Sequence, residues 1–260
     1  MYENITLVKE DAVLWLTLNR PDKLNALVGA AREEIFAALT EASEDESVRA
    51  ICITGAGKGF CAGGDIGYMA NLQADNNLAA FEKLLESGRQ IVTKLRSIEK
   101  PVVAMINGVA AGAGLNLALA SDIRIASSSA RFSQAFIKIG LHPDWGGTFL
   151  LPRLIGTARA CEMMFTGDVI DAQTAYQIGL INQVVSDNDL RVKTKELLQK
   201  LVSRPKQALA LAKRAIYQGV EYSLAEALDY ETKAQTQCFQ SEDAREGIDA
   251  FLTRRDPKFK

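Results

Sequence analysis

Apolar, β-branched runs alternate with stretches of helical periodicity in the first part of this chain, and after about Asp144 helical periodicity takes over. Residues 12–18 predict a strand, Asn19-Arg20-Pro21-Asp22 a break, and residues 30–43 a helix. A second strand is expected at 49–54, ended by Gly55-Ala56-Gly57. Helical spacing over 86–98 stops at Lys100-Pro101, a third strand follows at 102–106, and a short fourth at 122–126. Strands alternating with helices predict an α/β fold of parallel βαβ units, with ligands held at the carboxyl ends of the strands. Helices are expected at 156–165, 172–178, 189–202, 205–218, 223–238 and 243–254. The pattern therefore divides into an α/β core, residues 1–190, and a C-terminal helical region, residues 191–260. A few helices cannot readily bury all their apolar stripes alone, so this region predicts contact between subunits.

Two glycine-rich turns fall at strand ends: Phe60-Cys61-Ala62-Gly63-Gly64-Asp65 and Asn107-Gly108-Val109-Ala110-Ala111-Gly112-Ala113-Gly114. Small residues let backbone N–H groups approach a ligand without a side chain in the way. The Ala113 N–H would open a helix, where unpaired donors and the dipole favour negative charge. The Gly64 N–H is the natural second donor. Two such amides converging on one carbonyl oxygen would stabilise charge developing there. Tight packing is the alternative use of the same residues. Dinucleotide and nucleotide readings fit less well: Gly112-Ala113-Gly114 lacks the third glycine of GxGxxG, and no GxxxxGK[ST] occurs.

Composition narrows the chemistry. The 260 residues can bury a sizeable core, and 48% apolar with 24% charged residues is ordinary for a folded globular chain. A net charge of -2 gives no electrostatic reason to expect nucleic acid. No apolar run approaches the roughly 20 residues that span a bilayer, and Met1-Tyr2-Glu3-Asn4 opens no secretory signal, so a cytoplasmic location is expected. Cys52, Cys61, Cys161 and Cys238 have no CxxC spacing and are expected as small buried hydrophobes, not as a metal site or disulfide framework. A single histidine, His142, excludes multi-histidine zinc sites and is expected as a loop residue beside Pro143.

The ordered set Asn19-Arg20-Pro21…Asn25-Ala26-Leu27, Phe60 to Asp65, Lys100-Pro101…Asn107-Gly108, Ser121-Asp122 and Gly146-Gly147-Thr148…Leu151-Pro152-Arg153 resembles the crotonase superfamily of enoyl-CoA hydratases and isomerases. The likeness continues through Ala172…Gly179-Leu180-Ile181 to Glu246-Gly247…Phe251. It implies a crotonase-like spiral of ββα units with a C-terminal helical region used in a homo-trimer or dimer of trimers. It further implies an acyl-CoA thioester substrate, with no separate cofactor, whose carbonyl is held by the Gly64 and Ala113 N–H groups. Residues Lys23, Leu24 and Ala26, with Ala62, Gly63, Asp65 and Ile66, would border the nucleotide part of coenzyme A. Lys23 suits a phosphate contact, or equally a solvated surface.

The family's hydratases use two glutamates, and the matching positions here are Asn116 and Phe136. Neither is a carboxylate, and neither serves as a general base near neutral pH. Asp144 stands where several isomerases of the superfamily carry their base, and the stretch from Gln134 to Arg153 looks closest to the phenylacetate-type isomerase. One carboxylate suffices for an allylic shift. In an apolar surround beside Trp145 and Phe136 its pKa should rise. Asp144 would otherwise cap a helix starting near Trp145, while Asp65 is expected as a cap and turn former. Asn116 would hold a substrate polar group or a water, or else a local partner. Two further readings stand beside the isomerase: a hydratase, and a non-catalytic acyl-CoA-binding protein.

Overall fold

The computed structural model describes residues 2–260. Its strands run β1 (Ile5–Glu10), β2 (Val13–Leu18), β3 (Ala50–Gly55), β4 (Gly59–Cys61), β5 (Val102–Ile106), β6 (Val109–Ala111), β7 (Ile123–Ser127), β8 (Arg131–Ser133), β9 (Ile170–Asp171) and β10 (Gln183–Val185). The helices are α1 (Gly29–Glu44), α2 (Ile66–Ala74), α3 (Leu78–Ser97), α4 (Ala113–Ala120), α5 (Gly147–Ile155), α6 (Thr157–Thr166), α7 (Ala172–Gln177), α8 (Leu190–Val202), α9 (Lys206–Gln218), α10 (Leu224–Phe239) and α11 (Glu242–Thr253). One sheet has the order β1-β2-β3-β5-β7-β10 and the other β4-β6-β8-β9. Among the described residues, one edge pair of each sheet, β1 with β2 and β8 with β9, is antiparallel and the other pairs are parallel. The pairs β3/β4, β5/β6 and β7/β8 each send one strand to each sheet. Helical segments separate them, so the chain winds as a spiral of ββα turns.

The central strands were the legible ones because β3 and β5 are buried along their whole length. A strand covered on both faces reads as a continuous apolar run. One face packs in the main core with Ile35, Leu39, Ile91 and Leu115. On the other, Val13, Trp15, Cys52, Val103 and Ile125 meet Leu190 and Leu198 of α8. A boundary at residue 190 thus separates α8 from the sheet it covers, and the helices that stand off the core begin beyond Pro205. The three-residue strands β4, β6 and β8 are too short to show a period, and β1 is an edge strand with mixed burial. Helix α3 starts at Leu78, ahead of the expected residue 86, capped by the Asn77 side chain on the Ala80 N–H.

Helices α9 and α10 bury none of their residues fully. Their dock is polar. Lys213 of α9 donates to Asp122 Oδ2 at 2.9 Å and to the carbonyls of Leu95 and Lys100, and the Tyr217 hydroxyl donates to Asp122 Oδ1. Asp122 Oδ2 also accepts from the Val102 N–H at 2.7 Å. Ile216, Val220, Leu224, Phe239, Phe251 and Leu252 are left exposed. No helix among the described residues is long and apolar enough to cross a membrane.

Candidate active site

The first glycine turn is laid alongside the segment before α1. Leu27 N–H donates to the Gly63 carbonyl at 2.7 Å, Asp65 N–H to the Leu27 carbonyl at 3.1 Å, and Ala62 N–H to the Leu24 carbonyl at 2.9 Å. Gly64 lies between two residues bonded toward Leu27, so its own N–H faces the opposite side. That side belongs to the second turn. Gly63, at φ +98°, is tight against it: a Cβ there would lie 2.8 Å from the Ala111 carbonyl oxygen and 3.5 Å from the Ala113 nitrogen. Gly112, at φ 51°, caps α4, and its N–H donates to the Ser133 carbonyl at 2.9 Å. Ala113 is the first helical residue and its N–H is one of those a helix leaves without an internal partner. The fold thereby sets Gly63, the residue before Gly64, against the N-terminus of α4.

The segments flanking the first turn are locked by polar side chains. The buried Asn25 donates to the carbonyls of Ala56 and Gly59 and accepts from the Arg20 N–H. Arg20 also reaches the Ala26 carbonyl and pairs with Asp65 at 3.0 Å. Asp65 caps α2 through the Tyr68 N–H at 3.1 Å, as expected. Burial raises its pKa, but the Tyr68 and Arg20 hydrogen bonds outweigh this and hold the carboxyl below its ordinary range. Lys23, Leu24 and Ile66 are exposed along this edge, while Ala26 and Gly63 are buried beneath it.

Asp144 lies in the loop before α5. It caps nothing: α5 begins at Gly147 behind Gly146, which sits in the left-handed region at φ 72°. The alternative reading of Asp144 as a helix cap therefore fails, and its Oδ1 is buried without a hydrogen-bond partner. Burial pushes its pKa up to about 6, against the opposing fields of the Arg32 guanidinium and His142. His142 itself is an exposed loop residue. The main chain of the loop is held from α4. Asn116 Nδ2 donates to the Asp144 carbonyl at 2.8 Å, and Gln134 Nε2 donates to Asn116 Oδ1 at 2.8 Å. Asn116 is fully buried, so of its two expected roles this amide takes the local partner and not the contact with substrate or water. Gly147 makes room for it, since a Cβ there would sit 2.4 Å from Asn116 Nδ2.

Phe136, buried on the 3-10 turn Ala135–Ile139, lies over the second turn: a Cβ on Gly112 would come within 3.5 Å of its ring. Beside the first turn, an apolar pocket of about 420 Å³ is lined by Ile66, Met69, Leu72, Phe81, Ile139 and Leu141, among others. Met69 bridges the two features, because a Cβ on Gly64 would be 3.2 Å from its methyl group.

The sequence placed Trp145 beside Asp144 but showed neither its course nor the parts played by Arg32 and Gln134. Trp145 adopts φ 49°, unusual for a bulky side chain, and its indole fills a notch at Gly88, where a Cβ would be 2.4 Å from Nε1. Arg32 is buried with its guanidinium 5.5 Å from the Trp145 ring centroid. A signal for Arg32 did exist: it falls in phase with Ile35, Leu39 and Ala42 on the buried face of α1. Gln134 carried no comparable mark. Cys52 and Cys61 are buried as expected, Cys61 with its thiol pushed up to about 12 by burial, whereas Cys161 and Cys238 are only partly covered.

The sequence pattern of the family described as "Enoyl-CoA hydratase/isomerase" matches residues 8–260. A crotonyl-CoA hydratase of Syntrophomonas wolfei is 39% identical over 99% of this chain and 98% of its own length. A 1,2-epoxyphenylacetyl-CoA isomerase of Escherichia coli is also 39% identical, over 100% of this chain and 99% of its own. Among solved structures, an enoyl-CoA hydratase from Bacillus anthracis superposes with a TM-score of 0.94 at 35% identity, covering 99% of each chain.

Proposed function

This chain belongs to the enoyl-CoA hydratase/isomerase family, and from that premise we propose that it shifts a double bond within an enoyl-CoA thioester. The thioester oxygen accepts the Gly64 and Ala113 N–H groups. Asp144 removes a proton from C2, the electrons move into a dienolate whose negative oxygen those amides stabilise, and the same carboxyl returns the proton at C4. The acyl group occupies the apolar pocket beside Met69 and Phe81, and the nucleotide part of coenzyme A lies along Lys23 to Ala26 and Ala62 to Ile66, with Lys23 on a phosphate.

The observation that carries this reading is the unpartnered, buried Oδ1 of Asp144. A carboxyl raised to about 6 is still mostly ionised at neutral pH and is a stronger base than an ordinary aspartate. The two positions that carry glutamate in the hydratases hold Phe136 and the internally bonded Asn116. The test is conversion of a 3-enoyl-CoA to the conjugated 2-enoyl-CoA, followed by absorbance. Asp144→Asn should abolish it, and a variant working at the wild-type rate would overturn the assignment.

Hydration is the second reading, favoured by a hydratase relative as similar as the isomerase. It requires a water activated by Asp144 without help from Asn116. Loss of enone absorbance from crotonyl-CoA at a rate above that of isomerisation would select it. Binding without turnover has no observation in its favour.

The exposed apolar residues of α9 to α11 support a homo-trimer or dimer of trimers, to be read by light scattering on the purified chain. Four free thiols suit a reducing cytoplasm.

A further inference from the structure

Arg32 is a buried cation with an incomplete set of partners. One guanidinium nitrogen donates to the Leu84 carbonyl at 2.7 Å, yet Nε is buried with no acceptor, and no carboxylate among the described residues pairs with it within 4.0 Å. A guanidinium cannot neutralise itself by losing a proton, so such a group is costly unless negative charge stands nearby. Its surroundings say where that charge belongs. Nη2 lies 3.6 Å from the place a Cβ would take on Gly64, the Trp145 ring flanks the guanidinium at 5.5 Å, and Trp145 follows Asp144 in the chain. Asp144 is the carboxylate whose field acts on this guanidinium, and the two form no ion pair within 4.0 Å.

We propose that Arg32 is a positioning residue of this site, a buried cation whose field holds Asp144 in its proton-accepting form without occupying its oxygens. A direct ion pair would tie up the carboxylate and weaken it as a base. Held off by the Leu84 carbonyl and the Trp145 ring, the guanidinium supports the ionised form while leaving Oδ1 open to a substrate carbon. The inference rests on Asp144 being the base.

The groups that act on this pair are few. His142 reaches Asp144 from its own loop, and Tyr68 of α2 and Cys61 of β4 face Arg32. None of these is a carboxylate, so removing Arg32 leaves Asp144 without its main counter-charge.

The experiment is the pH profile of kcat/KM on a 3-enoyl-CoA for wild type, Arg32→Met, Arg32→Gln and Arg32→Lys. Met and Gln should move the acidic limb upward by about one pH unit or more, while Lys, which retains a charge, should keep it near the wild-type position. Met keeps apolar bulk, and replacing a buried charge with it is often neutral or stabilising, so at least one uncharged variant is expected to fold. Coenzyme A binding measured by calorimetry should be unchanged in each. An acidic limb that stays in place in both uncharged variants overturns the proposal. Asp144→Asn run alongside separates the failures: if it stays active the base assignment is wrong, and if it is dead while the Arg32 variants keep the wild-type profile, only the role of Arg32 is wrong.

Discussion

The spiral core and the C-terminal helices are held by different physics. In the core, β3 and β5 are buried end to end and helices meet them through Ile, Leu and Ala. Each fixed contact there bears on the site: Gly63 against Ala113, Asn116 under Asp144, Trp145 in its notch at Gly88. Helix α9, by contrast, reaches the core through a polar dock of Lys213 and Tyr217 on Asp122, with Arg96 against the Tyr217 ring. On α10 and α11 the apolar residues Phe239 and Phe251 are 70% and 84% exposed. Close packing suits a region that must hold reacting groups in place, because interiors at that density transmit a one-methylene change. A polar dock with an apolar outer face is what the proposed contact with another copy of the chain would require.

The sharpest break of this contrast is Asp144→Asn, which should cost about 10²–10⁴-fold in isomerisation while leaving the fold intact. Its stability effect has a definite sign. Asp144 has a raised pKa in the folded state, so its stabilising contribution is present below the unfolded value of 3.8 and is lost as pH rises through about 6. Above pH 6 the variant should therefore melt higher than wild type, and a lower melting temperature would refute the buried-charge account.

Next in size is Gly147→Ala. The added methyl would collide with Asn116 and displace the Asp144 loop, lowering kcat by about 100-fold with little change in KM. Unchanged kcat would show that the Asn116 brace is dispensable. In the wild type, kcat/KM should fall tenfold per pH unit below about 6 as Asp144 takes up its proton. A flat profile down to pH 5 would exclude Asp144 as the base.

In the C-terminal region the effects should move from chemistry to stability and assembly. Asp122→Ala strands Lys213 and the Val102 N–H in a partly buried place, at a cost of about 2 kcal/mol by denaturant unfolding. Phe251→Ser should alter the unfolding free energy of the isolated chain by less than about 0.5 kcal/mol yet shift the mass seen by light scattering. A variant that keeps its mass would remove Phe251 from the proposed subunit contact.

Much of this was written in local pattern. The β-rich runs at 49–54 and 102–106 read as strands, the late helices carried their apolar stripes, and the two glycine turns stood out because few other residues permit such an approach. Asp144 was visible as a carboxylate in an apolar stretch. The rise of its pKa by burial followed from the apolar residues beside it, but the opposing field of Arg32 did not, because that residue comes from α1, more than a hundred positions away.

Local order along the chain, then, determined the alternation of strands and helices and the residue types available for chemistry, since periodicity and glycine conformation act over a few neighbours. Folding alone decided that Asn116 would turn inward to brace a carbonyl, that Asp144 would be left uncapped, and that Arg32 would stand beside Trp145 and Gly64. These are contacts between residues tens of positions apart, and only the packed interior, where a buried polar atom must find a partner or remain exposed to its cost, assigns them.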